Sequence, residues 1–395
     1  MAIKNFLHPL MSNNFERVDF KSIIKLLRKR NVILTQSKNV KKFEEMWSRW
    51  LGIKYSIFVN SGSSANLISI DILNHLKGNG EVIVPPLTWS SDISSVIKNN
   101  MKPIFVDIDL NTLSMNEDAI IKKCNKKTKA IFLTHAQGFN GLSTKLLNFI
   151  KRKKIFLIED VCESHGATFQ NKKLGTFGEI SNFSFYYAHH MSTIEGGMIC
   201  TNSKKICQLA RILRSHGMAR EMNDSSEENK LIKKYKGLSP NFIFLYPAYN
   251  MRNNEIGGLL GLSQLKRLDK NNNARKRNFK YFVDNIDKNK FFTNFKFEGS
   301  SNYAFPVILN TKSIKLRDKF ENLMKKNSIE FRRGNAGGGN MLRQPFLKNF
   351  IKKNEFLKFK NTEHVHNFGY YIGNFPKLSK TRILKTCKIL NSIDI

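Results

Sequence analysis

The stretch Ser184-Phe185-Tyr186-Tyr187-Ala188-His189-His190-Met191-Ser192-Thr193-Ile194-Glu195-Gly196-Gly197 sets two adjacent histidines, a hydroxyl pair and a Gly-Gly turn side by side. An imidazole facing inward can take up and release protons near neutral pH. A metal shared by both histidines is the poorer reading, because neighbours on a strand point to opposite faces and rarely hold one ion. Two other clusters carry matching chemistry. Asn60-Ser61-Gly62-Ser63-Ser64-Ala65 would present N–H groups and small hydroxyls at a helix start, which suits a phosphate and equally an ordinary N-cap. Glu159 and Asp160 follow an apolar run, where one of them could face a cationic heterocycle or both could be exposed loop acids.

Such residues need strands to hold them. Short apolar runs at Ser56–Val59, Glu81–Val84, Pro103–Val106, Ala130–Leu133 and Ile155–Ile158 each end in polar residues, and helical spacing follows the first. This repetition predicts an α/β chain with a mostly parallel sheet covered by helices, whose ligands gather at the carboxyl ends of the strands. Ile256, Leu259, Leu260, Leu262, Leu265 and Leu268 have helical spacing over about Glu255–Arg275. Beyond them the character changes, so the expected division is a large α/β domain over residues 1–265, N-terminal segment included, and a smaller α+β domain over 266–395.

The 395 residues include 66 Lys+Arg against 31 Asp+Glu, a formal charge of +35. That excess invites a nucleic-acid reading, but it is spread along the whole chain without a recognition motif, so a solvated lysine-rich surface that attracts small anions is expected instead. Five scattered cysteines without a CxxC pair indicate reduced thiols and no metal site. No window approaches the roughly 20 apolar residues of a membrane span, and the N-terminus has no signal-peptide core. A cytoplasmic protein without a membrane span is expected.

Five segments in order, EVIVPPLTW, FVDID, IEDVCESHGATFQNKKLGTFGEISNFSFYYAHH, EGGMICTN and YNMRNNEIGGLLGLSQLKRLD, resemble the StrS-type family of pyridoxal phosphate enzymes acting on nucleotide-linked keto-sugars. The likeness runs from about Thr35 to GYYIGNFP and is strongest toward the GDP-4-keto-6-deoxymannose 3-dehydratase branch. It implies a type I aminotransferase fold, with a large mixed, mostly parallel sheet domain, a smaller C-terminal α+β domain, and a homodimer with shared active sites. Where the family carries its Schiff-base lysine this chain has His189, six residues before Glu195, as the dehydratase branch does. Imidazole forms no stable imine, so pyridoxal or pyridoxamine 5'-phosphate is expected to bind non-covalently, with His189 as acid and base.

By the same resemblance Asp160 pairs with the ring nitrogen of the cofactor and Trp89 stacks on its face. Ser63, Ser64 and Ser184 form the phosphate cradle, Glu163 lies near the ring hydroxyl, and Asn250 reaches the phosphate of the neighbouring subunit. Arg332, Arg333 and Arg343 surround a flexible Gly run from Gly334 to Gly339 and suit the carboxylate of an amino donor such as glutamate, or a nucleotide diphosphate; solvated surface arginines are the alternative, and Arg333 and Arg343 are the candidate substrate contacts. His190 and Arg252 complete the candidate substrate contacts. The implied reaction is loss of the 3-hydroxyl from a nucleotide-linked 4-keto-6-deoxy sugar. The alternatives are a 4-aminotransferase lacking the usual lysine and a cofactor-binding homologue without turnover.

Overall fold

The structure, a computed structural model, describes residues 6–394. The strands are β1 (Tyr55–Val59), β2 (Glu81–Val84), β3 (Lys102–Phe105), β4 (Thr128–Thr134), β5 (Phe156–Asp160), β6 (Thr168–Phe169), β7 (Lys172–Lys173), β8 (Ile180–Ser184), β9 (Gly197–Thr201), β10 (Ala304–Ile308), β11 (Phe331–Arg333) and β12 (Gly369–Gly373). Among them run α1 (Arg17–Leu27), α2 (Lys38–Leu51), α3 (Gly62–Lys77), α4 (Ser90–Lys98), α5 (Glu117–Lys123), α6 (Thr144–Lys153) and α7 (Lys204–Arg214). The later helices are α8 (Ser225–Lys234), α9 (Glu255–Leu265), α10 (Leu268–Asn285), α11 (Ile314–Lys326), α12 (Lys360–Phe368) and α13 (Lys380–Asn391).

Seven strands form the large sheet in the order β1-β9-β8-β5-β4-β2-β3. Only β9 runs antiparallel to its neighbours, and the remaining pairs are parallel. The carboxyl ends of β1, β8, β5, β4 and β2 therefore share one edge. Strands β2, β5 and β8 are buried at every residue, because helices cover both faces of the sheet. One face packs on Phe43, Trp47, Phe183 and Phe185, and the other on the apolar sides of α3, α4 and α7.

The smaller sheet, β10-β12-β11, is antiparallel throughout. Its core of Phe279, Phe282, Phe305, Phe320 and Tyr370 is continuous with Leu87, Ile108 and Phe139 from the large sheet's carboxyl edge, so the two units share apolar packing beside the strand ends. Among the described residues no helix is long and apolar enough to cross a membrane.

Two expectations are corrected. The helix expected over Glu255–Arg275 is two helices, broken at Arg267, whose φ of −113° and ψ of 2° leave the helical region. Its guanidinium reaches Asp19 at 2.6 Å and 2.9 Å, which ties the break to α1. The N-terminal segment is divided: α1 and α2 pack on α9, and only its first described residues cross to the small unit. His8 Nε2 donates to the Gly373 carbonyl at 2.7 Å, and the Leu10 N–H donates to Glu330 at 2.9 Å, so His8–Leu10 lies along the small sheet.

Candidate functional site

At the end of β1 the chain turns through Asn60 and Ser61 into α3. The Ser61 hydroxyl caps the helix by accepting the Ser64 N–H at 3.0 Å, and the Ser64 hydroxyl donates to Asn60 at 2.6 Å. Ser63 is exposed. A Cβ on Gly62 would stand 2.7 Å from that of Ser184, so glycine is what lets the helix start close on the end of β8. The cluster read from sequence is thus both an N-cap and, with Ser184, a cradle of hydroxyls and free N–H groups suited to an anion.

Asp160 ends β5 and is 4% exposed, which removes the exposed-acid alternative for it. Its carboxylate accepts the Cys162 N–H at 2.8 Å and the Asn66 amide at 3.1 Å. Glu159, its neighbour, points to the other face and is consumed structurally by the N–H groups of Gly175, Phe177 and Gly178 at 2.7–2.9 Å. Trp89 caps α4 at 61% exposure, so its ring is presented to the recess edge and not used as core. Glu163 accepts the Gln137 N–H at 2.7 Å, and burial raises its carboxyl to about 7.

The histidine pair lies in a turn after β8 and not on a strand. The opposite-face argument therefore fails, and both rings stack along buried His165, at 6.3 Å for His189 and 5.1 Å for His190. Hydrogen bonding separates them instead. His190 is 1% exposed with Nε2 donating to the Ser301 carbonyl at 2.8 Å, so it is a structural residue and its expected substrate contact is corrected. Nδ1 is without a partner in both rings, so the difference is the Ser301 bond and the depth of burial, His189 being only half-buried. Burial lowers its imidazole to about 4, partly opposed by Asp160 and the Cys162 carbonyl, so the ring is neutral at ordinary pH.

The small unit supplies one wall. Tyr303 stacks on His189 at 5.8 Å and meets Tyr371 at 5.9 Å. Arg332 lies directly opposite Tyr371 in the β11–β12 ladder and so shares its face, whereas Arg333 pairs with Tyr370 on the core face, its guanidinium 3.3 Å from Glu321. Arg333 is thus turned away from the Tyr371 face, while Arg332, 3.8 Å from Glu330, lies on it. Arg343 is also occupied, by a two-pronged bond to Glu363 at 2.6 Å and 2.9 Å and by stacking at 4.1 Å over Phe356. The Gly run is packed, not flexible. Met341 N–H donates to the Pro86 carbonyl at 2.8 Å, and Gly337, at a φ of 59°, sits where a Cβ would be 2.2 Å from the Thr88 carbonyl. Asn250 is exposed and holds Arg252, its side-chain oxygen accepting the Arg252 Nε–H at 3.0 Å.

The sequence reading missed Tyr303, Tyr371, His165, Asn66 and Asp92. Only Asp92 left a local trace, three residues after Trp89 and so near it on the first turn of α4. Taken together, the recess offers an anion cradle, an exposed aromatic face, a buried carboxylate and a neutral imidazole. That set fits a flat, phosphorylated, basic heterocycle.

The architecture and this strand-end recess are those of the type I aminotransferase fold, seen also in a Helicobacter pylori aminotransferase of pseudoaminic acid biosynthesis at a TM-score of 0.82 and 22% identity, over 98% of this chain and 97% of that one. The chain belongs to the DegT/DnrJ/EryC1/StrS aminotransferase family, whose model matches residues 16–391. It is similar to the GDP-4-keto-6-deoxy-D-mannose 3-dehydratase of Escherichia coli O55:H7, with 31% identity over 93% of this chain and 95% of the relative. A solved GDP-4-keto-6-deoxymannose-3-dehydratase holding a trapped PLP-glutamate geminal diamine superposes with a TM-score of 0.86 at 29% identity, over 97% of this chain and 100% of that one.

Proposed function

We propose that this chain is a cytoplasmic 3-dehydratase of a nucleotide-linked 4-keto-6-deoxy sugar, using pyridoxal/pyridoxamine 5'-phosphate held without a covalent bond. The single observation that carries the reading is His189: a half-buried imidazole, stacked on Tyr303 and near Asp160, stands at the position where the family's amine would have captured the aldehyde. The similarity to proteins named as 3-dehydratases supports the choice of reaction.

Pyridoxamine phosphate, formed by amino transfer from an amino acid such as glutamate, supplies an electron-withdrawing ring that lets the sugar lose its 3-hydroxyl. Asp160 holds positive charge at the ring nitrogen. Trp89 covers one face, Ser63, Ser64 and Ser184 hold the phosphate, and Glu163 faces the ring hydroxyl. His189, neutral at rest because burial opposes its charge, accepts a proton, and as imidazolium it donates one to the departing oxygen. Tyr303 and Tyr371 wall this space from solvent. The net change converts the 4-keto sugar and pyridoxamine phosphate into a 3-deoxy-4-keto sugar, ammonia and pyridoxal phosphate.

A homodimer completes the site in this reading, with Asn250 reaching the partner's phosphate. Trp89, Tyr186, Ile194, Phe244 and Tyr249 are exposed apolar side chains that such an interface would cover. The test is to incubate the protein with pyridoxal phosphate, glutamate and GDP-4-keto-6-deoxymannose and weigh the sugar product. Loss of one oxygen is expected. A new amine at carbon 4, or an unchanged sugar, overturns the proposal.

A further inference from the structure

Behind Asp160 lies a second carboxyl group. Asp92, on the first turn of α4, is fully buried. One of its oxygens accepts the Asn66 amide at 2.7 Å, and the other accepts the Thr134 hydroxyl at 2.7 Å and the Thr88 hydroxyl. The same Asn66 nitrogen reaches Asp160 at 3.1 Å, so a single amide group spans the two carboxyls. Asn66 is itself 1% exposed, and its own oxygen has no partner. Among the described residues neither aspartate forms an ion pair with a basic side chain.

Two carboxylates this close, away from water and without a cation, cannot both ionise. We propose that Asp92 carries a proton at neutral pH and donates it in a hydrogen bond to Asp160, so that the pair bears one negative charge, aimed at the ring-nitrogen position. Asp92 is then a positioning residue. It holds the Asp160 carboxylate in one orientation and keeps the second charge out of the interior. Burial and the neighbouring Asp160 charge push the Asp92 carboxyl well above the usual range, against the pull of the two threonine hydroxyls. The thiol of Cys162 feels both aspartates and is pushed up as well, chiefly by burial, so it stays neutral and adds no further negative charge. The inference rests on the reading of Asp160 as the ring-nitrogen partner.

Asn at position 92 imitates a protonated acid toward Asp160 and the threonines, keeping a donor for one and an acceptor for the others, although its NH2 cannot accept the Asn66 amide; Ala provides none of these. Infrared difference spectra of the wild type against Asp92→Asn, taken near neutral pH with and without pyridoxal phosphate, should show a protonated-carboxyl band that the variant lacks. Asp92→Asn should bind pyridoxal phosphate within about twofold of the wild type, and Asp92→Ala about tenfold more weakly. The inference is overturned if Asp92→Asn loses no such band, if the band disappears in Asp160→Asn but persists in Asp92→Asn, or if Asn weakens binding as much as Ala. Because the band is read without cofactor, a chain that binds no pyridoxal phosphate refutes the proposed function while the proton on Asp92 is still decided.

Discussion

The recess at the carboxyl edge of the large sheet and the glycine-rich loop of the small unit meet at Pro86–Thr88, and their charged groups are arranged in opposite ways, although buried atoms without a partner occur in both, the Asn66 oxygen in one and the Asn335 amide in the other. In the recess, Asp160 meets no basic side chain among the described residues, and Trp89 is held out toward solvent. In the loop and its neighbours the charges are already matched, Arg343 with Glu363 and Arg333 with Glu321. A buried charge without a counter-ion costs stability and persists where a ligand will use it. A satisfied guanidinium contributes shape. The contrast assigns chemistry to the strand ends and makes the loop a wall.

The largest effect that would sharpen this contrast is at Asp160. Replacing a preorganised charge costs roughly 100- to 1000-fold in turnover, so Asp160→Asn should lose that much in product formation followed by mass, with the fold intact by circular dichroism. A variant within a few-fold of wild type would remove the strand-end half of the comparison.

Acid should act next, and on the small unit's packing. Burial lowers His8 to about 4, so the folded state resists a proton that the unfolded chain accepts at its ordinary value of 6.5. Stability is therefore full above that ordinary value and falls as the pH drops toward about 4, by about 3 kcal/mol for this residue. Denaturant melts of wild type and His8→Gln across that window should show the slope reduced in the variant. An unchanged slope would deny that His8 anchors the N-terminus there.

The arginines give the smaller effects. Arg332→Ala should raise the KM for the sugar nucleotide about tenfold, the loss of one charged hydrogen bond, while Arg333→Ala leaves it unchanged. The reverse outcome would mean that the strand register misassigns the two faces. Arg343→Ala should leave KM within about twofold and cost about 1 kcal/mol or less in a thermal melt, as an exposed ion pair does.

Much of this was legible in the sequence because strand ends announce themselves. Apolar runs stopping before Asn60, Asp107 and Glu159 located the edge where ligands gather, and the family resemblance, counted back from Glu195, singled out His189. What stayed hidden depended on contacts distant in the chain. The register of β11 against β12 decides which arginine faces Tyr371, and a three-residue strand carries too little pattern to reveal it. Arg267 breaks a helix through Asp19, remote in sequence. Beyond its spacing from Trp89, nothing local sets Asp92 apart from an ordinary helix acid; Thr134 and Asn66 close around it only in the fold. The two histidines were read as strand neighbours although the chain had already turned after Ser184.

The most direct test of the central claim is the turnover of His189→Asn, measured together with the absorption spectrum of its bound pyridoxal phosphate. The account predicts an undisturbed cofactor spectrum and at least about a 100-fold loss of 3-deoxy product, the share a proton-transferring side chain supplies. Product formation within a few-fold of the wild type would contradict it.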